Sequence, residues 1–127
     1  MSSYRKLNKI KRKRKNGVII FDLDMTLVDT SRLQKLRDKR KWDKINKKLH
    51  RTFTFPGIKR VINRLSLYYD CGVVTSSPRK YAESILAYHS IDLPVLIAYH
   101  DTDYHKPEPE PMLAGLKRYG IDPISHD

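Results

Sequence analysis

Residues 18–27 have the sequence Val18-Ile19-Ile20-Phe21-Asp22-Leu23-Asp24-Met25-Thr26-Leu27. A short apolar run bounded by polar residues is typical of a strand buried on both faces, and this predicts a parallel sheet covered by helices. Such sheets carry their chemistry just beyond the carboxyl ends of the strands. Because side chains alternate along a strand, we expect Asp22 and Asp24 to point the same way and converge on one cation, with Leu23 facing the core.

Two later stretches carry polar side chains in comparable positions. Gly72-Val73-Val74-Thr75-Ser76-Ser77 is an apolar strand ending in hydroxyls, and Lys106-Pro107-Glu108-Pro109 is a loop that begins with a lysine. Phe55-Pro56-Gly57-Ile58 leads into a helical pattern before the first of them. Each has a plainer interpretation when taken singly: a solvated turn for Asp-x-Asp, a strand-end cap for Thr75 and an exposed loop lysine for Lys106. Their order along the chain favours a single site.

Taken together, the three stretches resemble motifs I, II and III of the haloacid dehalogenase-like (HAD) superfamily, whose commonest members are magnesium-dependent phosphatases. The resemblance implies that Asp22 attacks phosphorus to form an aspartyl-phosphate. It implies that Asp24 protonates the leaving alcohol and later deprotonates the hydrolytic water. Mg²⁺ would then be held by Asp22 and by Asp24, the latter through its backbone carbonyl.

The other two motifs supply positive charge and hydrogen-bond donors. By the same resemblance, Thr75 and the backbone amides of Ser76 and Ser77, near a helix start, would bind the phosphate oxygens. Lys106 would neutralise charge on Asp22 and on the phosphoryl group. The predicted site therefore has Asp22, Asp24 and Lys106 as catalytic groups and Thr75, Ser76 and Lys106 as phosphate-binding groups.

The fourth motif of the family, an acidic pair after another strand, has no counterpart in this sequence. The sequence ends at Ser125-His126-Asp127, about where that strand is expected to begin. The resemblance thus covers residues 17–127 and implies a HAD-like fold that is truncated before motif IV. We expect low turnover from these 127 residues alone.

Helical and strand patterns alternate after residue 55 and predict an α/β fold. Strands are predicted at residues 71–75 and 95–98, and a helix is predicted after Ser77-Pro78, where a hydroxyl cap precedes a proline. The repeating order predicts a three-stranded parallel sheet in a three-layer, Rossmann-like arrangement. The buried positions predicted for the three helices are Ile58, Val61, Ile62, Leu65 and Tyr69; Tyr81, Ala82, Ile85, Leu86 and His89; and Met112, Leu113, Leu116 and Tyr119, with Gly120 ending the last helix.

Positive charge is concentrated outside the predicted core, although the whole chain has a formal net charge of +12. Residues 1–16 hold eight Lys or Arg and no acid, which predicts a disordered basic arm. Residues 32–51 hold ten basic residues and two acids. They lie in a predicted small helical cap insertion, about residues 31–54, between the core segments 17–30 and 55–127. The short distance between motifs I and II excludes a large cap domain.

The sequence leaves two classes of function open. The first is a HAD-type phosphatase that hydrolyses phosphate monoesters with Mg²⁺. The alternative is a basic nucleic-acid-binding protein on a vestigial HAD scaffold, in which residues 5–15 and 32–51 bind nucleic acid or another polyanion. A hybrid, a phosphatase that acts on the phosphorylated ends of nucleic acid, combines them. The plainer interpretation of both basic segments is a solubilising tail and a solvated helix face.

The remaining composition bears on the compartment. Cys71 is the single cysteine, which excludes an internal disulfide and suits a reducing cytoplasm. No apolar run approaches the roughly 20 residues that a membrane span needs, and the run after the basic N-terminus is too short for a signal peptide. We therefore predict a cytoplasmic protein that does not bind membranes.

Overall fold

The computed structural model of the protein describes residues 15–121 and contains five strands and five α-helices within that range. Short 3-10 turns lie at Ser31–Leu33, Leu49–Arg51 and Tyr99–Asp101. In chain order the elements are β1 (Val18–Phe21), β2 (Val28–Asp29), α1 (Gln34–Asp38), α2 (Trp42–Asn46), β3 (Phe53–Thr54), α3 (Ile58–Tyr68), β4 (Asp70–Val74), α4 (Arg79–Tyr88), β5 (Val95–Ile97) and α5 (Glu110–Arg118).

The main sheet has three parallel strands in the order β1-β4-β5, which confirms the predicted sheet. Val18 pairs with Asp70 and Phe21 with Val73, while Gly72 pairs with Val95. The helix α4 connects β4 to β5, and the connection from β1 to β4 contains α3. The carboxyl ends of all three strands therefore meet at one edge of the sheet.

Side-chain alternation places the sheet between two layers of helices and confirms the three-layer arrangement. Ile19, Phe21, Cys71, Val73 and Leu96 belong to one apolar cluster, together with buried residues of α3 and α4. The alternate residues of the same strands form a second cluster with α5: Ile20, Val74, Val95, Ile97, Ala114 and Tyr119.

The strand β1 departs from the expectation of burial on both faces. All four of its residues are only partly buried, whereas every residue of β4 is buried. Within residues 15–121, β1 pairs along one edge alone, so it is an edge strand and β4 is the central one. The apolar run predicted the strand and its parallel pairing, but not its place at the edge.

Two of the helices bury different positions from those predicted. In α3, Ile62 is buried but Val61 is 44% exposed. In α5, Met112 and Leu113 are exposed, and the helix instead contacts the sheet through Pro111 and Gly115. A Cβ atom at Gly115 would lie 3.2 Å from Ile20 Cδ1, so the helix approaches too closely for larger side chains. Gly120, at φ 76°, ends α5 as expected.

Residues 31–51 form two short helical segments that pack on the core. The chain reverses near Arg40, which has a positive φ of 55°, so α1 and α2 form a hairpin. Leu33 and Ile45 are fully buried in the cluster that contains α3 and α4. The strands β2 and β3, which were not predicted, pair antiparallel on either side of this hairpin. Two-residue strands are too short to show a periodic pattern.

The two ends of the chain lie beyond the residues that the structure describes. Residues 1–14 of the predicted arm and the final residues 122–127 lie outside the described range. At the end of the arm, the Lys15 ammonium donates a hydrogen bond to the Ser66 carbonyl, and the Asn16 amide donates to the Tyr68 carbonyl at 2.9 Å. Over residues 15–121, no helix is long and apolar enough to cross a membrane.

Candidate active site

Asp22 and Lys106 meet at the carboxyl edge of the sheet. Asp22 follows β1 directly, and its side chain remains 49% exposed. The Lys106 Nζ atom lies 3.1 Å from Asp22 Oδ1 and donates a second hydrogen bond, at 2.6 Å, to the carbonyl of Val74 at the end of β4. The Leu23 amide also donates to Asp22 Oδ1, at 2.8 Å. Oδ1 therefore receives two donors, and the other oxygen of Asp22 is left for a ligand.

Asp24 has a different environment. Its side chain is 12% exposed, accepts hydrogen bonds from three side chains and forms an ion pair with a fourth. Oδ1 accepts from Thr30 Oγ1 at 2.8 Å and from Tyr81 Oη at 2.6 Å. Oδ2 accepts from Ser77 Oγ at 2.9 Å and lies 3.2 Å from Arg37 Nη2. A carboxylate, which only accepts, satisfies the three hydroxyl donors and balances the Arg37 charge.

Tyr81 and Arg37 are the site residues that the sequence did not reveal. Burial, followed by the nearby charge of Asp24, raises the pKa of Tyr81, so its hydroxyl stays protonated and donates. The Arg37 guanidinium lies 5.4 Å from the centre of the Tyr81 ring. Helical spacing had placed Tyr81 in the core, and Arg37 was one of ten basic residues in its segment. No motif or spacing marks either as a partner of Asp24.

The loop after β4 holds the hydroxyls expected to bind phosphate. Thr75 is buried, and its Oγ1 accepts a hydrogen bond from the Ser77 amide at 3.1 Å. The Ser77 amide is therefore used within the loop, contrary to the expectation that it faces the phosphate. The Ser77 hydroxyl bonds to Asp24 and does not cap α4, whose N-cap is Pro78. Ser76 is exposed, and its amide has no acceptor within residues 15–121.

These contacts join four of the five predicted site residues, Asp22, Asp24, Thr75 and Lys106, at one edge of the sheet. Lys106 contacts Asp22 and the residue before Thr75, while Ser77 connects Thr75 to Asp24. The carboxylates of Asp22 and Asp24 have separate partners, and their convergence on one cation stays a prediction. The strand β1 ends at Phe21, so both acids lie in the turn that follows it.

The residues present fit a Mg²⁺ ion that takes few ligands from the protein. The described part of the chain has no group of three or more His, Cys, Asp or Glu side chains that could enclose a metal. Mg²⁺ commonly uses one or two carboxylates and completes its shell with phosphate and water. The exposed carboxylate of Asp22 suits that donor set, whereas the Asp24 carboxylate is already engaged by four side chains.

Asp101, which precedes Lys106 in the loop after β5, is engaged by two other groups. Asp101 accepts a hydrogen bond from the Ala98 amide at 2.8 Å and forms an ion pair with Arg79. Burial raises the pKa of Asp101, but these two contacts outweigh it and leave the pKa below the ordinary value. The Arg79 side chain, at the start of α4, is thereby held against β5 through the Leu96 carbonyl and against the loop after β5 through Asp101.

The sequence of this chain matches a known protein family. A profile of the haloacid dehalogenase-like hydrolases matches residues 32–125. The chain belongs to this family. The match to this HAD-like hydrolase includes Thr75 and Lys106 but begins after Asp22 and Asp24. The assignment of the two acids therefore depends on their sequence pattern and on the contacts described above.

Solved structures share the fold of this HAD-like hydrolase. A HAD-superfamily hydrolase of subfamily IA, variant 1, from Geobacter sulfurreducens is 17% identical, with a TM-score of 0.66 over 87% of this chain and 76% of that chain. A HAD-superfamily hydrolase from Ehrlichia chaffeensis is 18% identical, with a TM-score of 0.64 over 87% and 75%. A predicted phosphoglycolate phosphatase from Haemophilus somnus is 19% identical, with a TM-score of 0.63 over 86% and 73%. A search of curated proteins gave no significant match.

Proposed function

We propose that this HAD-like hydrolase is a Mg²⁺-dependent phosphatase that cleaves phosphate monoesters through an aspartyl-phosphate on Asp22. The observation that carries the proposal is the 3.1 Å contact between Lys106 Nζ and Asp22 Oδ1 beside a half-exposed carboxylate. One solved structure of the same fold is a predicted phosphoglycolate phosphatase, which agrees with this reaction class. The free, buried thiol of Cys71 agrees with a cytoplasmic setting.

In the first step, the free oxygen of Asp22 attacks phosphorus. A bond forms between that oxygen and phosphorus, and the bond from phosphorus to the ester oxygen breaks. The electron pair stays on the departing oxygen, which receives a proton from Asp24; Asp24 enters this step in its acidic form, having taken a proton from solvent when the substrate displaced one of its donors. Lys106 reduces the repulsion between the two anions, because its ammonium is held between Asp22 and the loop that binds phosphate.

In the second step, water attacks the phosphorus of the aspartyl-phosphate. Asp24 accepts a proton from this water, the bond from phosphorus to Asp22 breaks, and inorganic phosphate leaves. Both carboxylates return to their starting states. The Thr75 hydroxyl, which accepts from Ser77 and keeps its own proton to donate, and the Ser76 amide bind the phosphoryl oxygens.

Asp24 requires a rearrangement to act as the proton donor and acceptor. Both of its oxygens are engaged by side chains, so one donor must give way to the ester oxygen when the substrate binds. Arg37 and Ser77 are the longer of the four contacts, at 3.2 and 2.9 Å, and both lie on the Oδ2 side. We therefore assign proton transfer to Oδ2 and positioning to the donors on Oδ1.

Asp22 and the backbone carbonyl of Asp24 are the groups that we assign to Mg²⁺. When bound, the ion supplies positive charge to the phosphoryl oxygens. The protein's own contribution is to keep one oxygen of Asp22 accessible while Lys106 and Leu23 hold the other.

The experiment that tests the proposal compares the chain with Asp22→Asn. Phosphate release from p-nitrophenyl phosphate is measured with Mg²⁺ and with excess chelator. We expect release by the unmodified chain with Mg²⁺, and loss of that release both with chelator and in the variant. Equal rates for the unmodified chain and the variant would overturn the proposal.

A further inference from the structure

A groove runs from the phosphate-binding loop along the helical hairpin of residues 31–51. Three neighbouring cavities share Trp42, with volumes of about 340, 350 and 300 Å³. The first reaches Ser76 and Ser77 and is also lined by Arg37 and Arg40. The others extend past Lys80 on one side and past Lys41 and Lys44 on the other; one acid, Asp43, lines both, and Asp38 lines the first cavity. A ligand bound at the catalytic edge could therefore continue along the hairpin.

The hairpin carries positive charge that the described residues do not neutralise. Of its ten basic side chains, Arg37 alone has an acidic partner within 4.0 Å in residues 15–121. Eight of the ten are exposed, and the apolar Leu33 and Ile45 point into the core. Phe53 is exposed beside this charge, with the Arg32 guanidinium 5.3 Å from its ring centre, but one ring is not the continuous apolar face of a membrane-binding helix. The hairpin instead suits a ligand that carries several negative charges in water.

Aromatic rings lie beside these charges. Trp42 lines all three cavities and packs against Tyr81, with ring centres 5.5 Å apart. Tyr99 lines the first cavity, is 39% exposed and stacks on His105 with ring centres 3.8 Å apart. A basic groove with accessible rings is the arrangement by which proteins bind single-stranded nucleic acid, because the cations contact the backbone and the bases stack on the rings.

We propose that the substrate is the terminal phosphate of a single-stranded nucleic acid, whose preceding nucleotides lie along the groove from Ser76 past Trp42 to Lys44. This rests on the proposed phosphatase function and names its substrate class. A small phosphate ester fills at most the first cavity, and gives no role to the cations at residues 41 and 44.

Binding is tested in the Asp22→Asn background, so that no substrate is consumed. The groove variant is Arg40→Asn, Lys41→Gln and Lys44→Gln; asparagine tolerates the positive φ of residue 40. The matched control is Lys59→Gln, Arg60→Gln and Arg64→Gln, which removes the same charge from exposed positions of α3. Fluorescence anisotropy measures the affinity for a ten-nucleotide oligonucleotide with and without a terminal phosphate, at several salt concentrations.

We expect the terminal phosphate to tighten binding and the groove variant to weaken it at least tenfold more than the control. The plot of log K against log salt should become less steep by about 2 in the groove variant. The variant removes three cations, and each lost phosphate contact on a single strand contributes about 0.7 to the steepness. Equal effects of the two triple variants, or no preference for the phosphorylated strand, would overturn the inference.

Kinetic measurements distinguish the proposed substrate class from the proposed phosphatase activity. The groove variant should lower the ratio of kcat/KM for the phosphorylated oligonucleotide to that for p-nitrophenyl phosphate at least tenfold, whereas the control should leave the ratio unchanged. Hydrolysis of p-nitrophenyl phosphate with an unchanged ratio would overturn the substrate class but leave the phosphatase. Groove-dependent binding without hydrolysis of either compound would overturn the phosphatase.

Discussion

Lys106 Nζ lies 3.1 Å from Asp22 Oδ1, although 84 positions separate the two residues in the sequence. The contact exists because both residues follow elements that end at the same edge of the sheet. The second bond of Lys106, to the Val74 carbonyl, places its ammonium beside the loop that begins with Thr75. One cation therefore contacts the proposed nucleophile and borders the proposed phosphate site.

Replacing Lys106 should remove the neutralisation that this contact supplies. We expect Lys106→Met to lower kcat/KM for p-nitrophenyl phosphate by about a hundredfold or more, as is common when such a stabilising contact is lost. Lys117→Met, at an exposed position of α5, is the matched control and should keep the full rate. A rate for Lys106→Met close to that of Lys117→Met would be incompatible with the role assigned to Lys106.

The role of Asp24 predicts a dependence on the leaving group. An alkyl alcohol needs a proton in order to depart, whereas p-nitrophenolate leaves readily without one. Asp24→Asn should thus lower kcat/KM for an alkyl phosphate by about 10²–10⁴ and that for p-nitrophenyl phosphate much less. This measure reports the steps up to alcohol release, before Asp24 is needed as a base. Equal losses for both esters would argue against proton donation.

Tyr81→Phe should also lower kcat/KM more for the alkyl phosphate than for the aryl phosphate. The Tyr81 hydroxyl donates to Asp24 Oδ1 at 2.6 Å and so positions this carboxylate. We expect about a tenfold larger loss for the alkyl phosphate than for the aryl phosphate, near the effect of about one lost hydrogen bond to a charged group. Tyr88→Phe, on an exposed part of the same helix, serves as the control. A uniform loss with both esters would indicate that Tyr81 has only a packing role.

His89 should make stability depend on pH. The Thr52 hydroxyl donates to the Leu49 carbonyl and so accepts from His89 Nε2, which fixes the ring as a donor there. Burial, with a smaller contribution from Lys59, lowers the pKa of His89. Between the ordinary pKa of histidine and the lowered pKa of His89, the unfolded chain binds more protons than the folded one. The free energy of unfolding therefore falls as the pH drops through this range. Urea denaturation between pH 7.5 and 5.5 measures the fall.

The variant His89→Gln removes this titration and should flatten that dependence between pH 6.5 and 5.5. His100→Gln, at an exposed position, should leave the slope as in the unmodified chain. If the His89→Gln variant keeps the full slope between pH 6.5 and 5.5, the dependence has another source.

The helical hairpin should contribute to global stability, because its Ile45 side chain is fully buried in the larger apolar cluster. Ile45→Ala should lower the free energy of unfolding by about 2–5 kcal/mol, the usual cost of such a truncation in a core. Asn46→Ala, at the neighbouring exposed position, should change it by less than about 0.5 kcal/mol. A loss below about 1 kcal/mol for Ile45→Ala would mean that the hairpin unfolds independently of the sheet.

The sequence was sufficient where a periodic pattern coincided with a known motif order. The apolar run before Asp22 predicted the first strand, the alternation placed Leu23 in the core, and the order of the motifs predicted the meeting of Asp22 and Lys106. Each of these follows from local spacing or from the rule that parallel strands end at one edge of the sheet.

The sequence was insufficient where tertiary contacts override the periodic pattern of apolar residues. Gly115 packs against the sheet in place of Met112 and Leu113, because the close approach of α5 selects small residues. Tyr81 has the spacing of a core residue and still directs its hydroxyl to Asp24. Hydrogen bonds of this kind depend on how elements pack, which periodicity does not encode.

The most direct test of the central claim, that Asp22 is the nucleophile of a phosphatase, is to detect phosphate bound covalently to the protein. The chain is mixed with ³²P-labelled p-nitrophenyl phosphate and Mg²⁺, quenched in acid within milliseconds to seconds, and analysed for label on the polypeptide. We expect label that hydroxylamine releases, as is typical of an acyl phosphate, and none on Asp22→Asn. Phosphate release without any labelled protein, or equal labelling of the variant, would contradict it.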